Sequence, residues 1–412
     1  MAQLSDNPAL AQALLTLVRA RQFELTPDSM CQGQPVRNFP SLDLAVVVFP
    51  SAGAPVFANV LFSRDFPEGH IAQISPKAEQ VSNIVYLKDQ TNARYESIAW
   101  LPGSDWRQLH WETLTDTVQH SPPGNSFVAP YPASLLKLMV LVGVARLVDL
   151  GKVDWRSERT LAGTKKSVAE WADSMIVASN NDATTVLVRL LHEEKLIVRS
   201  GPAETNHLNQ LFAQYGLHTL QLGNTQPDGG WRSADGAGVG HHHMTAWDSV
   251  RLLWLLADEE APWLPAGTPA LVSNESRQRI WEWLGDQGLH TVLSSTSLAG
   301  VPGWTSGIPA TLSPRWIQDD GSVQVEAIRF PADVRSINQT ATRHFAHKTG
   351  NTENYCSDAG LVTTTRADQP RYIIALLSNL GSRYQAGPDC STTWRIPALG
   401  YSIDRWIASH FN

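Results

Sequence analysis

The stretch SLLKLMVLVGVARLVDLG, residues 134–151, limits what this chain can become. Its apolar residues do not keep to one stripe but run almost all the way round a 3.6-residue helix. Such a helix has no face to give to water, so other elements must enclose it, with Gly151 as its C-terminal stop. The stretch carries Lys137, Arg146 and Asp149, and no apolar run in the chain reaches the length of a membrane span. The buried helix therefore belongs inside a globular body, and 412 residues with 42% hydrophobic and 17% charged positions suffice to build one.

The partners of that helix are legible on both sides. LAVVVFPSAGAPVFANVLFS (44–63) is two β-rich runs around a Gly/Pro turn, a hairpin pattern. Residues 64–130 are mixed, with SNIVYL and ESIAWL as candidate strands. Helical patterns follow at 167–178, 183–193, 206–215, 245–257 and 275–284, with Thr245 and Asp248 spaced as a capping box. Residues 295–340, rich in Pro, Gly and Ser, read as an excursion. AGLVTT and YIIALLSNL are strands again, and the last helix places Ile403, Trp406, Ile407 and His410 on one side. An N-terminal helix is predicted from Leu10, Leu14, Leu17 and Val18. The expected class is α/β in the α+β sense: one antiparallel sheet built from both termini, flanked by helices, plus an all-helical lobe. The expected organisation is a mixed α/β domain from 1–133 with 340–412 (insertion at about 64–124), a helical domain at 134–294, and an insertion at 295–339.

Bulk properties exclude several functions. A net charge of −7 without a basic stripe argues against nucleic-acid binding. Cys31, Cys356 and Cys390 allow one disulfide at most; a Cys356–Cys390 bridge stays open, and reduced thiols are the plainer reading. The N-terminus lacks the pattern of a secretory signal, so the expectation is a soluble cytoplasmic protein with no membrane partner, periplasmic if a signal was removed. The three contiguous histidines 241–243 point in different directions on any regular element, so neither a metal nor another cofactor is expected. Monomer and dimer are equally open.

Three short motifs carry chemistry. Ser134 and Lys137, in YPASLLKLM, are one helical turn apart and within reach of each other. A serine hydroxyl is a weak nucleophile until a neighbouring base takes its proton. Lysine can be that base only when neutral, which at pH 7 costs roughly 4–5 kcal/mol in water. Burial lowers that cost, and so does a second cation nearby, for which Lys348 is the candidate. Alone, Ser-x-x-Lys is weak, since a capped helix with a snorkelling lysine has the same letters. Ser179 and Asn181, in MIVASNNDATT, lie in a break between helices, where short polar side chains can face a cleft or merely cap a turn. His347-Lys348-Thr349-Gly350 heads a strand.

In this order, Ser-x-x-Lys, Ser-x-Asn and Lys-Thr-Gly resemble the penicillin-recognising serine enzymes, and within them the class A β-lactamase-like branch. The resemblance covers roughly 125–290 and 340–412 and implies the β-lactamase/DD-peptidase-like fold. It implies Ser134 as nucleophile, Lys137 as proton acceptor and Ser179 as proton donor to the leaving group. Asn181 would hold the substrate amide, while Lys348 and Thr349 would bind a substrate carboxylate. The oxyanion hole would be the backbone N–H groups of Ser134 and Asn351, reached past Gly350. His243 is the histidine expected at the cleft.

Two departures stand out. Asn180 takes the place of an aspartate, where a modest loop change is expected. Gln226-Pro227 stands where the branch has the Glu-Pro that activates the deacylating water, and glutamine cannot take a proton. The expected function is a serine hydrolase that forms an acyl-enzyme on Ser134 with a small amide, β-lactam or ester, and that works poorly as a β-lactamase. A biosynthetic acyltransferase and a penicillin-binding sensor without turnover remain alternatives.

Overall fold

The computed structural model describes residues 5–6, 8–36, 38–101, 106–114, 125–200, 203–232, 238–257, 259–364, 369–384 and 393–411. Its centre is an antiparallel sheet in the order Val56–Phe62, Leu42–Phe49, Arg371–Ser378, Cys356–Thr364 and Arg343–Asn351. Ser5–Asp6 adds a short parallel strand beside Val56–Phe62, and His70–Ile71 pairs with that strand too. Both chain ends thus contribute to one sheet.

Every residue of Leu42–Phe49 is buried, because both faces of the sheet are covered. Leu42, Leu44, Val46 and Val48 meet helices α1 (Pro8–Arg19) and α9 (Arg395–His410) on one face. Ala45, Val47 and Phe49 meet the helical half of the molecule on the other. That half holds α2 (Lys137–Asp149), α3 (Val168–Val177), α4 (Asn181–Glu193), α5 (His207–Gln214), α6 (Ala246–Leu256) and α7 (Asn274–Gly285). Helix α8 (Arg335–Thr340) precedes the last three strands. At about 1.5–3 kcal/mol for each fully buried large aliphatic side chain, these two cores dominate the favourable side of folding.

The all-round apolar helix is enclosed as expected: ten of its residues are buried, Lys137 among them. Gly143 lets Leu191 and Leu208 approach, since a Cβ there would lie 3.0 and 3.1 Å from them. Gly151 ends the helix at φ +65°, a conformation open to glycine. Sheet and helices are tied by a buried carboxylate. Asp43 accepts from Asn59 Nδ2 (2.7 Å) and from the backbone N–H of Ala246 (2.8 Å) at the start of α6. Thr245 caps the same helix by accepting from Asp248 N, but the Asp248 carboxylate turns to Thr219 and Arg251 and does not close a capping box.

Other expectations need correction. ESIAWL is not a strand: Ser97 makes only an isolated bridge to Thr91, because Glu96 and Ser97 are spent on buried polar ties. On α9 the buried stripe is Ile396, Leu399, Ile403 and Ile407, whereas Trp406 stacks on an exposed His410 at 4.2 Å. The 295–339 stretch has structure of its own. It contains a hairpin, Val323–Val325 with Ile328–Phe330, whose apolar side packs with Leu312, Trp316 and Val334 against Val177 and Ala178. Cys356 is buried in the sheet, while its pairing with Cys390 lies outside the described residues. Among the described residues no helix is long and apolar enough to cross a membrane.

Candidate active site

Ser134 does not sit on α2 itself but on the 3-10 turn Ala133–Leu136 that leads into it. The turn begins with Ala133 at φ +49°, a left-handed conformation costly to a residue with a Cβ. Strain of this kind persists only where packing enforces it. Here the enforcing neighbour is the Arg343–Asn351 strand. Gly350 lies so close to the turn that a Cβ would meet Pro132 O at 2.6 Å and Leu135 N at 2.8 Å. Ser357 on the next strand donates to Pro132 O (2.6 Å) and fixes the turn from below. The result presents Ser134, half-buried, to a cleft of about 440 Å³.

Lys137 projects from the first turn of α2 and is 2% exposed. Its Nζ donates to Ser179 O (2.6 Å) and Asn181 Oδ1 (2.8 Å) and lies 3.2 Å from Ser179 Oγ. Burial lowers its pKa to about 7, against the pull of the Glu326 carboxylate, which raises it. A neutral amine has two N–H groups and one lone pair. The carbonyl oxygens of Ser179 and Asn181 can only accept, so they take both N–H groups and leave the lone pair for a hydroxyl proton. Ser179 is held at φ +57°, the second left-handed residue at this site.

Lys348 reaches the same hydroxyl from the other side: its Nζ donates to Ser179 Oγ (3.0 Å) and to Thr349 O (2.7 Å). It is fully buried, and burial lowers its pKa well below the usual lysine value; repulsion from Lys137 acts in the same direction and Asp358 opposes it. Burial is the largest cause of the lowered pKa of both amines, and the two cations repel each other. Lys348 does not line the cleft, and Thr349 is only 4% exposed. The close seating of the strand on the Ser134 turn leaves both with little exposure.

The cleft wall on the strand side begins at Asn351 and continues through Thr352, Glu353, Asn354 and Tyr355. The helical side offers Asn181, Thr184 and Thr185 from α4, whose spacing of three and four residues puts them on one face. Tyr95, Tyr131 and Trp231 complete it. The aromatic residues were the part least visible in the sequence, where tryptophan reads first as core. Tyr131 alone had a signal, its place three residues before the nucleophile.

Two expected site residues lie elsewhere. Gln226 closes its own loop: its Nε2 donates to Trp231 O (2.9 Å) and its backbone N–H to Gly230 O (2.9 Å). Asp228, two residues on, is exposed and accepts from Gly230 N (2.8 Å). His243 is buried and pairs its backbone with Gln221, and burial lowers its pKa well below the usual value. Its neighbour His242 is buried as well and packs against two residues of the cleft wall, its ring 4.9 Å from Trp231 and 6.4 Å from Tyr131. His241 is exposed, and no cluster of metal-binding side chains occurs among the described residues. Trp304 and Trp316, candidate cleft residues, are tied by their Nε1 atoms to Ser295 O and Asp286 O, away from the cleft lining.

Asn180, the departure inside the second motif, caps α4 by accepting from Ala183 N (2.9 Å). Its Nδ2 donates to Glu326 Oε2 (2.8 Å) at the tip of the 323–330 hairpin. An aspartate could make the first contact but would set a second carboxylate against Glu326.

Residues 125–309 match the model of the "Beta-lactamase enzyme family", a span that includes Ser134, Lys137, Ser179 and Asn181. No curated protein matches the chain. Among solved structures the chain is similar to PBP-A, at 16% identity and a TM-score of 0.48, covering 99% of this chain and 98% of that one. It is similar to the TLA-3 extended-spectrum β-lactamase at 11% identity and a TM-score of 0.47, covering 97% and 99%. A β-lactamase from Sphaerobacter thermophilus DSM 20745 is similar at 14% identity and a TM-score of 0.39, covering 66% of this chain and 80% of that one.

Proposed function

Since residues 125–309 match the model of the "Beta-lactamase enzyme family", we propose that the chain is a member of the serine β-lactamase and penicillin-binding-protein superfamily, a serine hydrolase that forms an acyl-enzyme on Ser134 and releases it slowly. The acyl donor is a small β-lactam, ester or amide that fits the aromatic-walled cleft. The observation that carries this reading is the shared Ser179 hydroxyl, which two buried amines approach at 3.2 and 3.0 Å, one of them Lys137, which lines the same cleft as Ser134.

The chemistry follows from that arrangement. Ser134 Oγ attacks the carbonyl carbon while its proton passes to the lone pair of neutral Lys137. Backbone N–H groups at Ser134 and Asn351, brought together by the Gly350 contact, face the oxygen on which charge develops. When the carbon–nitrogen or carbon–oxygen bond breaks, the leaving atom takes a proton from Ser179, which is replenished from an adjacent lysine. The acyl group then remains on Ser134.

Release requires a base for water, and neither Gln226 nor Asp228 is presented to the cleft. A long-lived adduct is the consequence. That same observation favours a second reading, a penicillin-binding sensor with little turnover, and acyl transfer to an amine or alcohol is the third.

The test is a time course of intact mass with a labelled penicillin and with a small chromogenic ester. A slowly decaying adduct that is absent in Ser134→Ala supports the hydrolase reading. An adduct that never decays transfers support to the sensor. Labelling of Ser134→Ala at the native rate overturns both.

A further inference from the structure

The 295–339 stretch lies largely outside the residues that carry the superfamily resemblance, yet it touches the site at one point. The hairpin Val323–Val325 and Ile328–Phe330 turns at Glu326 and Ala327. Glu326 has φ +48°, a left-handed conformation that a side-chain-bearing residue adopts only when its surroundings demand it. Gln324 donates to its carbonyl oxygen from within the hairpin. The apolar side of the hairpin is seated on Val177 and Ala178, the last residues before Ser179. The tip therefore stands beside the second motif, and its carboxylate accepts from Asn180 Nδ2 at 2.8 Å.

Asn180 lies between the two residues that hold Lys137, since Ser179 supplies a carbonyl and a hydroxyl and Asn181 an amide oxygen. We propose that Glu326 is a positioning residue of the Ser134 site: fixed by Asn180, its carboxylate clamps the Ser179–Asn181 turn that holds Lys137. This rests on the acyl-enzyme reading above.

The other charged or titratable groups around Lys137 are few. Lys348 lies beyond Ser179 on the Arg343–Asn351 strand, with His347 and Asp358 behind it, joined at 2.7 Å. Asp182 is exposed at the start of α4, and Glu353 lies across the cleft. Of these groups, Glu326 is the carboxylate that raises the pKa of Lys137, opposing the burial that lowers it to about 7. Its sign is definite. A nearby negative charge favours the ammonium, so removing it makes Lys137 neutral, and thus competent to accept the Ser134 proton, at lower pH.

The experiment measures the rate of Ser134 acylation by penicillin across the acid limb, in the wild type, Glu326→Gln and Glu326→Asp. For Glu326→Gln the limb should move to lower pH by about half a unit or more, with Glu326→Asp close to wild type. Raising ionic strength from about 0.05 to about 0.5 M should move the wild-type limb in the same direction, because an exposed carboxylate is readily screened. The salt arm needs no variant that folds. A limb unmoved in both arms, with a rate loss only, would show a structural prop and overturn the proposal. Acylation that survives Ser134→Ala would instead overturn the reading beneath it.

Discussion

The stretches 64–124 and 295–339, both set apart by sequence pattern from the motif-bearing parts, meet the site through different kinds of contact. The first is anchored by buried polar groups. Arg383 donates to both carboxylate oxygens of Asp28 (2.7 and 2.6 Å) and to Glu96. Asp89 accepts from Ser97 (2.7 Å) and from Tyr355 of the cleft wall (2.8 Å). The second is anchored by an apolar cluster around Trp316, Val323 and Val325, with Arg315 paired to Asp173 and Asp286 at its edge, and its tip meets the site through Glu326. Polar anchoring fixes direction, which suits a wall that must hold Tyr95 and Tyr355 in place. Apolar anchoring fixes position and leaves the exposed tip to supply charge.

That contrast can be broken by substitution. The largest effect is expected for Arg383→Ala, which strands Asp28 and Glu96 as buried charges and should cost about 3–5 kcal/mol in denaturant unfolding. A loss below about 1 kcal/mol would mean that the wall does not depend on this network. Next comes pH. Burial raises the pKa of Asp89 to about 6, above its unfolded value. Its contribution is fully present below the unfolded pKa and is lost as pH rises through about 6. Asp89→Asn should therefore gain stability relative to the wild type across that window, by roughly 3 kcal/mol at most. A constant difference would contradict it.

Val325→Ala, at a 1% exposed site, should cost about 1–2 kcal/mol and also loosen the hairpin that presents Glu326. The smallest effect belongs to Gln226→Ala. Its side chain serves its own loop, so acylation and deacylation should stay within about twofold of wild type. A tenfold slower deacylation would place Gln226 in the chemistry after all.

Much of this molecule was legible before its structure. The helix that is apolar all round, the strands at either end and the three motifs follow from periodicity and residue type, both local signals. The glycine at 350 was visible as a letter of the third motif, but its reason was not: it removes a Cβ from the path of Pro132 and Leu135, which are distant in sequence. Lys348, Thr349 and His243 were assigned to the site from their motifs, and how deeply each is buried is a tertiary property that no motif carries. Gln226 turned inward because a tight loop offered it a carbonyl. Glu326 carried no signal at all, since nothing in a hairpin tip announces which loop it will touch.

The central claim is that a buried, uncharged lysine makes Ser134 reactive. Pre-steady-state acylation by penicillin between about pH 5 and 9, with the adduct located by peptide mapping, tests it directly. The account predicts a label on Ser134 and a rate that climbs through about pH 7 to a plateau. A label on another residue, or a rate indifferent to pH over that range, would contradict it.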